Sequence, residues 1–342
     1  MTDLRAADDL AADFLAELEA RTADHPGVTR DAYGAGEAAA HDLLAAFAGR
    51  LGLPVATDHA GNLYVTLEGR EPHAPVWMIG SHLDSVPHGG NFDGGAGVAA
   101  GIAVMGEIMR RFGRPRRSIV LVAIRAEEST WFPASYIGSR AAFGLLGKDE
   151  LDLKRNDTAE TLSDHMRSQG FSPERLLKEP AYLDPAKIHG FVEVHIEQGP
   201  TLVLESMPIG LVSAIAGSFR YRSAVVHGTY GHSGAVSRRH RHDAVFAFAD
   251  MVSALDRLWG ELDAAGKPAT ITIGEVATDP AVHAFSKIPG ELGFCLDVRS
   301  GEAQTLSDIR VALTAIAGEI ETKRGVRFDF GPLTGSTPAV LS

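Results

Sequence analysis

A chain of 342 residues exceeds what one hydrophobic core normally supports, so the length predicts two domains, or one large domain that carries a smaller one. The composition, with 45% apolar and 22% charged residues, excludes a disordered or fibrous chain. The formal net charge of −12 would repel a phosphate backbone, and we therefore expect no nucleic-acid partner.

The amino terminus carries acidic residues where a secretory signal would carry a basic region followed by an apolar one. No window of the sequence approaches the ~20 apolar residues that span a bilayer. We therefore expect no membrane partner and a cytoplasmic location.

The first part of the chain alternates predicted helices and strands. Apolar residues recur at helical spacing from Asp3 to Ala23 and from Tyr33 to Leu51. Runs rich in β-branched and apolar residues then predict strands at 62–67, 76–80, 118–124 and 190–197. This alternation indicates an α/β domain over residues 1–210, with its chemistry at the strand ends.

The pattern changes near Leu211. Predicted strands and helices then follow in the order β-α-β-β-α, which is typical of a small α+β sandwich. We therefore expect a second, inserted domain over residues 211–325. Residues 326–342 then carry one predicted strand and no closing helix, and we expect them to return to the first domain in truncated form.

The stretch GSHLDSVPHGGNFDGGAGVAAG, residues 80–101, is the most informative in the chain. His82 and Asp84 point the same way because strand side chains alternate, and a carboxylate there can fix the imidazole tautomer. Glycines in the following loop permit the close backbone approach that would bring Asp93 back beside His82. Together these residues predict a metal site.

Two further predicted strand ends carry ligand chemistry. Glu127 and Glu128 directly follow a strand, where two adjacent carboxylates would be costly without a cation. The sequence GFVEVHIEQGP sets His195 on the same strand face as Glu193 and Glu197. Each cluster alone is explained by a turn or a solvated face, but together they favour zinc, manganese, cobalt or nickel over calcium or magnesium.

Taken together, several motifs resemble the hydantoinase/carbamoylase branch of the M20 metal-dependent amidohydrolases. They are GSHLDSVPHGGNFDGGAGV, RAEESTWF, GSRAAFG, HIEQGP, GHSGAVSRRHRHDA and LDVRS, and they span about His25 to Phe330. The resemblance implies a zinc-aminopeptidase-like α/β catalytic domain with an inserted α+β lid and dimerisation domain, and hence a homodimer. It also implies hydrolysis of a linear ureido or amide C–N bond, as in an N-carbamoyl amino acid, by a metal-activated water.

The same resemblance implies a site with two divalent metal ions. His82 and His195 would hold one ion, Asp93 would bridge, and Glu128 would hold the second. Glu127 would be the general base, because an unliganded carboxylate beside two cations can accept the proton that they acidify.

Three further residues receive roles from the resemblance. His232 of GHSG resembles a histidine that reaches the oxyanion of the reaction, often from the partner subunit. Arg299 of LDVRS resembles an arginine that grips the substrate carboxylate, and Gln198 a residue that borders the substrate. Asp84 completes the catalytic group as the partner of His82. Without the resemblance, His232 would be a turn residue and Arg299 a solvated strand end.

The chain departs from the family pattern at two places. Ser286 stands where family members commonly carry an asparagine before the IPG turn. Family members also continue with a strand, a helix and a histidine ligand, whereas this sequence stops at Ser342. We therefore expect the carboxyl-terminal part of the catalytic domain to be missing and the second metal site to be incomplete.

Two alternative functions stay open at this point. One is an aminoacylase or peptidase of the same superfamily. The other is a catalytically impaired relic that binds metal without turnover. A seryl hydrolase based on Ser81 or Ser218 is disfavoured because neither serine lies in a nucleophile-elbow sequence.

Overall fold

The computed structural model describes residues 6–341, which fall into two compact units that meet in sequence between Ser206 and Met207. The predicted first helix, over 3–23, is present as Ala7–Thr22, and its residues 3–5 lie outside the described part of the chain. No helix among the described residues is long and apolar enough to cross a membrane.

The first unit contains the following elements in chain order. Its helices are α1 Ala7–Thr22, α2 Ala35–Arg50, α3 Gly95–Phe112, α4 Ile137–Ala142, α5 Lys148–Leu151, α6 Leu162–Ser168, α7 Pro173–Leu176 and α8 Thr201–Leu204. Its strands are β1 Ala23–Asp24, β2 Gly27–Val28, β3 Val55–Thr57, β4 Leu63–Leu67, β5 Val76–His82, β6 Ile119–Ile124 and β7 Ile188–Val192.

The sheet of the first unit has five strands in the order β3-β4-β6-β5-β7. Strand β5 runs parallel to both β6 and β7, whereas β4 is antiparallel to β6. Because parallel strands end at the same edge of a sheet, the residues that follow β5, β6 and β7 lie together there. These residues carry the predicted ligands.

Helices α1, α2 and α3 build the main core of the first unit with the sheet. Phe14 of α1 packs edge-on against Phe47 of α2, with ring centroids 5.2 Å apart. Val98, Ile102 and Met105 of α3 are buried in the same core, at the spacing that places residues on one helix face. This packing fixes the start of α3, and therefore Asp93 just before it, against the sheet.

The second unit is a separate α+β layer structure. Its strands are β8 Ala214–Ile215, β9 Gly217–His227, β10 Gly231–His232, β11 Ala269–Thr272, β12 Val276–Ala277, β13 Lys287–Ile288, β14 Glu291–Ser300, β15 Arg327–Asp329, β16 Leu333–Ser336 and β17 Ala339–Val340. Its long helices are α9 Ala244–Ala264 and α10 Ala303–Arg324. They bury Met251, Leu255, Ile309 and Leu313 in one core with the strands.

The last strands of the chain differ from the expectation for residues 326–342. These residues were expected to return to the first domain, whereas β15 and β16 both pair with β9 of the second unit. Arg327 lies opposite His227, and Phe328 is buried in the core of the second unit. The backbone pairing and this apolar contact explain why these strands belong to that unit.

Candidate metal centre

Three potential ligands converge where β5, β6 and β7 end. His82 is the last residue of β5, Asp93 precedes α3, and His195 lies beyond β7. One ligand atom from each of them lies within 4.8 Å of the others. The structure thus brings together residues separated by more than a hundred positions in the sequence.

Both imidazoles turn the same nitrogen towards Asp93. The Nδ1 atom of His82 lies 3.0 Å from the carbonyl oxygen of Asp84, and Nδ1 of His195 lies 2.8 Å from that of Ile196. Each Nδ1 therefore carries a hydrogen, and each Nε2 is free to act as a ligand. The two Nε2 atoms lie 3.8 Å and 3.2 Å from Oδ1 of Asp93.

The Oδ1 atom of Asp93 is buried and has no hydrogen-bond partner. A buried carboxylate oxygen that faces two imidazole nitrogens needs a positive charge between them. Two histidines and one carboxylate are also a common donor set for zinc and similar divalent ions. The residues present therefore fit a divalent metal ion.

The electrostatics of the site show the same need for positive charge. Burial alone would lower the pKa of His82, but Asp84, Glu127 and Asp93 together raise it to about 9. Burial raises the pKa of Glu127 to about 7, against the opposing effect of His82, and burial also raises the pKa of Glu128. The carboxylates around the site thus outnumber its positively charged side chains.

Asp84 holds the two glutamates in place. Its side chain is fully buried, its Oδ1 accepts from the backbone N–H of Glu127 at 3.0 Å, and its Oδ2 accepts from that of Glu128 at 3.0 Å. Oδ1 also lies 3.3 Å from Nδ1 of His82. The predicted contact with the imidazole is therefore present, and the role towards the glutamates is an addition that the sequence did not indicate.

The two glutamates differ in their relation to the converging ligands. Oε2 of Glu127 lies 3.9 Å from Nε2 of His82, which places this carboxylate beside the site. Glu128 is not among the three residues whose ligand atoms converge. It is close enough to Asp93 and His195 for their charges to affect its pKa.

Gly94 allows the loop before α3 to press against His82. Its φ is +63°, a conformation that glycine adopts without steric penalty. A Cβ atom at this position would lie 2.5 Å from the carbonyl oxygen of His82 and 2.7 Å from its ring. The glycine is thus required for the close approach of Asp93 to His82.

The segment after β7 differs from the predicted strand over 190–197. The strand ends at Val192, and the pairing of β7 with β5 ends with it. Beyond Val192 there is no ladder pairing, so strand alternation does not set the directions of Glu193, His195 and Glu197. Glu193 accepts from Ser81 Oγ at 2.5 Å, whereas Glu197 accepts from the first backbone N–H groups of α8.

Gln198 lies closer to the ligands than the resemblance implied. Its Nε2 donates to Oδ2 of Asp93 at 2.7 Å. The resemblance assigned this residue to the border of the substrate, whereas the structure shows a contact with the carboxylate that faces both histidines. Gln198 therefore fixes the orientation of that carboxylate.

Arg30 is a residue of the site that the sequence analysis missed. It is fully buried, its Nε donates to the carbonyl oxygen of Leu83 at 2.6 Å, and Nη2 lies 3.3 Å from that of Asp93. Burial lowers its pKa to about 10, which Asp84 and Asp93 oppose. A lone arginine whose partners are carbonyl groups leaves no pattern in the sequence.

The remaining predicted residues lie in the second unit. His232 is on β10, where its Nδ1 accepts from the backbone N–H of Gly234 at 3.2 Å. Arg299 is on β14, with a half-exposed side chain whose Nε and Nη2 donate to Oδ2 of Asp297 at 3.0 Å and 2.8 Å. The carbonyl oxygen of Ser286 accepts from the N–H of Ser233 at 3.1 Å.

The fold and the ligand geometry indicate a divalent-metal site at one edge of a largely parallel sheet, and comparisons with known proteins specify the class of protein. The model of peptidase family M28 matches residues 62–162. The N-carbamoyl-L-amino-acid amidohydrolase of Paenarthrobacter aurescens is 33% identical over 95% of this chain and 77% of its own length. The allantoate amidohydrolase of Escherichia coli strain K12 is also 33% identical, over 75% of this chain and 60% of its own length.

Solved structures agree with these relatives. The amidase of the hydantoinase/carbamoylase family from Burkholderia multivorans superposes with a TM-score of 0.85 and 26% identity, over 98% of this chain and 79% of that protein. The chain belongs to the hydantoinase/carbamoylase family of amidases. It is therefore a hydrolase of linear amide C–N bonds that depends on a divalent metal.

Proposed function

We propose that this amidase hydrolyses the ureido C–N bond of a small carboxylate substrate such as an N-carbamoyl amino acid. The observation that carries the proposal is the unpartnered, buried Oδ1 of Asp93, which faces Nε2 of both His82 and His195. The names of the relatives support a ureido substrate more than the aminoacylase or peptidase alternative.

We assign two divalent ions, of zinc, manganese, cobalt or nickel, to this edge of the sheet. His82, Asp93 and His195 would hold one ion, and Asp93 with Glu128 would contribute to holding the other. When bound, such ions lower the pKa of a water molecule and polarise the carbonyl group that it attacks. The convergence of the first three ligands supports the first assignment.

Glu127 would move the proton of the reaction. Its carboxylate lies beside His82, and the buried Asp84 holds its backbone. Glu127 would accept the proton of the attacking water and deliver it to the departing nitrogen, which leaves with the bond electrons. For a carbamoyl substrate the first products are ammonia and a carbamic acid, which then loses carbon dioxide to give the free amine.

Residues of the second unit would recognise the substrate. Arg299 would bind the substrate carboxylate with its planar guanidinium, and His232 would stabilise the oxyanion, in a homodimer formed through this unit. Gln198 would border the substrate while it orients Asp93. The half-exposed guanidinium of Arg299 supports this role, because Asp297 occupies only part of its donors.

The test compares two adjacent glutamates in the whole chain. Glu127→Gln should keep the metal content and lower turnover of N-carbamoyl amino acids by about 100-fold or more, because it removes the base alone. Glu128→Gln should lower the metal content measured by elemental analysis. Equal metal loss in both variants, or an active Glu127→Gln, would show that the division of roles is wrong.

A substrate panel separates the alternatives. Turnover of N-carbamoyl amino acids well above that of N-acetyl amino acids and dipeptides is the expected result. The reverse preference would favour the aminoacylase or peptidase. Tight metal binding without turnover of any compound in the panel would favour a binding protein.

A further inference from the structure

The turn that carries the two glutamates has an unfavourable backbone conformation. Ala126 has a φ of +50°, in the left-handed region where the Cβ of an alanine meets the backbone. Such a conformation persists only where the surroundings hold it. The direction of the Glu127 side chain follows directly from this turn.

A buried carboxylate from a different element holds the turn. Glu37 lies in the first turn of α2 and is fully buried. Its Oε1 accepts from the backbone N–H of Ala126 at 2.8 Å. Its Oε2 accepts from Nη1 of Arg125 at 2.9 Å and from the backbone N–H of Tyr33 at 2.7 Å.

Two carboxylates thus hold three consecutive amides. Glu37 accepts from Ala126, and Asp84 accepts from Glu127 and Glu128. A buried ion pair adds little to stability compared with apolar packing of the same volume. The Glu37 carboxylate instead binds the amide of Ala126, the left-handed residue one position before the proposed base. Such a contact is suited to fixing the backbone conformation of the turn.

We propose that Glu37 is a positioning residue of this amidase, which holds Ala126 in the left-handed conformation and thereby sets the Glu127 carboxylate beside His82. This inference rests on the proposed function, in which Glu127 moves the proton. Among the described residues, the hydrogen-bond partners of Glu37 are Tyr33, Arg125 and Ala126, and none of them is a ligand of the proposed metal site. Glu37 would therefore act through the turn.

The variant Glu37→Gln tests the inference. Its amide has a single acceptor oxygen. Facing Arg125 and Tyr33, this oxygen gives up the hydrogen bond from Ala126, and facing Ala126 it gives up the two bonds that anchor the side chain, so the hold on the turn weakens in either orientation. We expect hydrogen exchange of the amides of residues 126–128, measured by NMR in the metal-free chain, to accelerate by about tenfold or more. We also expect kcat to fall about 10- to 100-fold while KM changes less than about threefold, because a small misplacement impairs chemistry more than binding.

Two further variants separate positioning from stability. Leu43→Ala, on the same helix but in the α1–α3 core, should lower the melting temperature without altering exchange in the turn or kcat. Ala126→Gly in the Glu37→Gln background should restore kcat several-fold, because glycine adopts the left-handed conformation without the alanine penalty. If Glu37→Gln does not fold, Glu37→Asp, which keeps the charge and shortens the reach, should show the same local exchange and loss of kcat.

The outcomes are distinct. Wild-type exchange in the turn of the Glu37 variant, an unchanged kcat despite faster exchange, or no rescue by Ala126→Gly would each overturn the inference. If the wild-type chain turns over no ureido or amide substrate, the proposed function fails, and the exchange measurements alone then decide whether Glu37 holds the turn.

Discussion

Replacement of Gly94 by alanine should weaken metal binding in addition to destabilising the fold. At a φ of +63° and a ψ of −44°, an alanine would be strained by about 1–3 kcal/mol. The Cβ would also lie 2.7 Å from the imidazole of His82, about 0.7 Å inside the ordinary contact limit of 3.4 Å. Metal–ligand distances tolerate deviations of only about 0.2 Å, so we expect zinc affinity to fall about 10- to 100-fold.

Gly113 provides a matched control at the other end of α3. Its φ is +67°, and a Cβ there would meet nothing within 4 Å. At a ψ of −127°, Gly113→Ala should also carry a backbone cost of about 1–3 kcal/mol, and it should leave metal affinity unchanged. Competition with a chromogenic chelator measures the affinity, and thermal unfolding of the metal-free protein measures the stability. Equal zinc affinity in the two variants would refute the reasoning.

Three further changes have defined outcomes. Gln198→Leu should lower zinc affinity about tenfold in chelator competition, because it removes the hydrogen bond to Asp93, and an unchanged affinity would contradict this. Arg299→Lys should lower kcat/KM for carboxylate substrates relative to their carboxamides, since lysine lacks the planar fork. Asp250→Asn should cost about 1 kcal/mol of unfolding free energy at pH 6 in denaturant titrations. Hydrogen bonds from Arg324 lower the pKa of Asp250 to about 2, so this stabilisation is complete above about pH 4, and the difference should shrink as pH falls towards 2.

The sequence predicted the region of the site because its signals are local. Ligand residues at the ends of apolar runs indicate strand ends, and parallel strand order brings those ends together. This places His82, Asp93 and His195 at one edge of the sheet, where the structure has them. The alternation argument was wrong for His195, because β7 ends at Val192 and the ligand lies in irregular chain beyond it.

The residues that hold the ligands were beyond the reach of sequence reasoning. Arg30 and Glu37 bond chiefly to carbonyl and amide groups of distant segments. Every residue type has those backbone groups, so the residue types in the sequence do not indicate which segment binds Arg30 or Glu37. A single charged residue in an otherwise ordinary stretch gives no periodicity either, and only the folded backbone reveals that the side chain is fully buried.

The Asp84 carboxylate makes its neighbours interdependent. It touches the imidazole of His82 and holds the amides of Glu127 and Glu128, so a change at any of these shifts a group that the others share. Substitutions in this set will not combine additively, and double-mutant cycles will return large coupling energies. A lineage descending from this amidase could not exchange these residues one at a time. Evolutionary change would therefore concentrate on the residues proposed to recognise the substrate, while the residues at the metal-binding edge of the sheet stay the same.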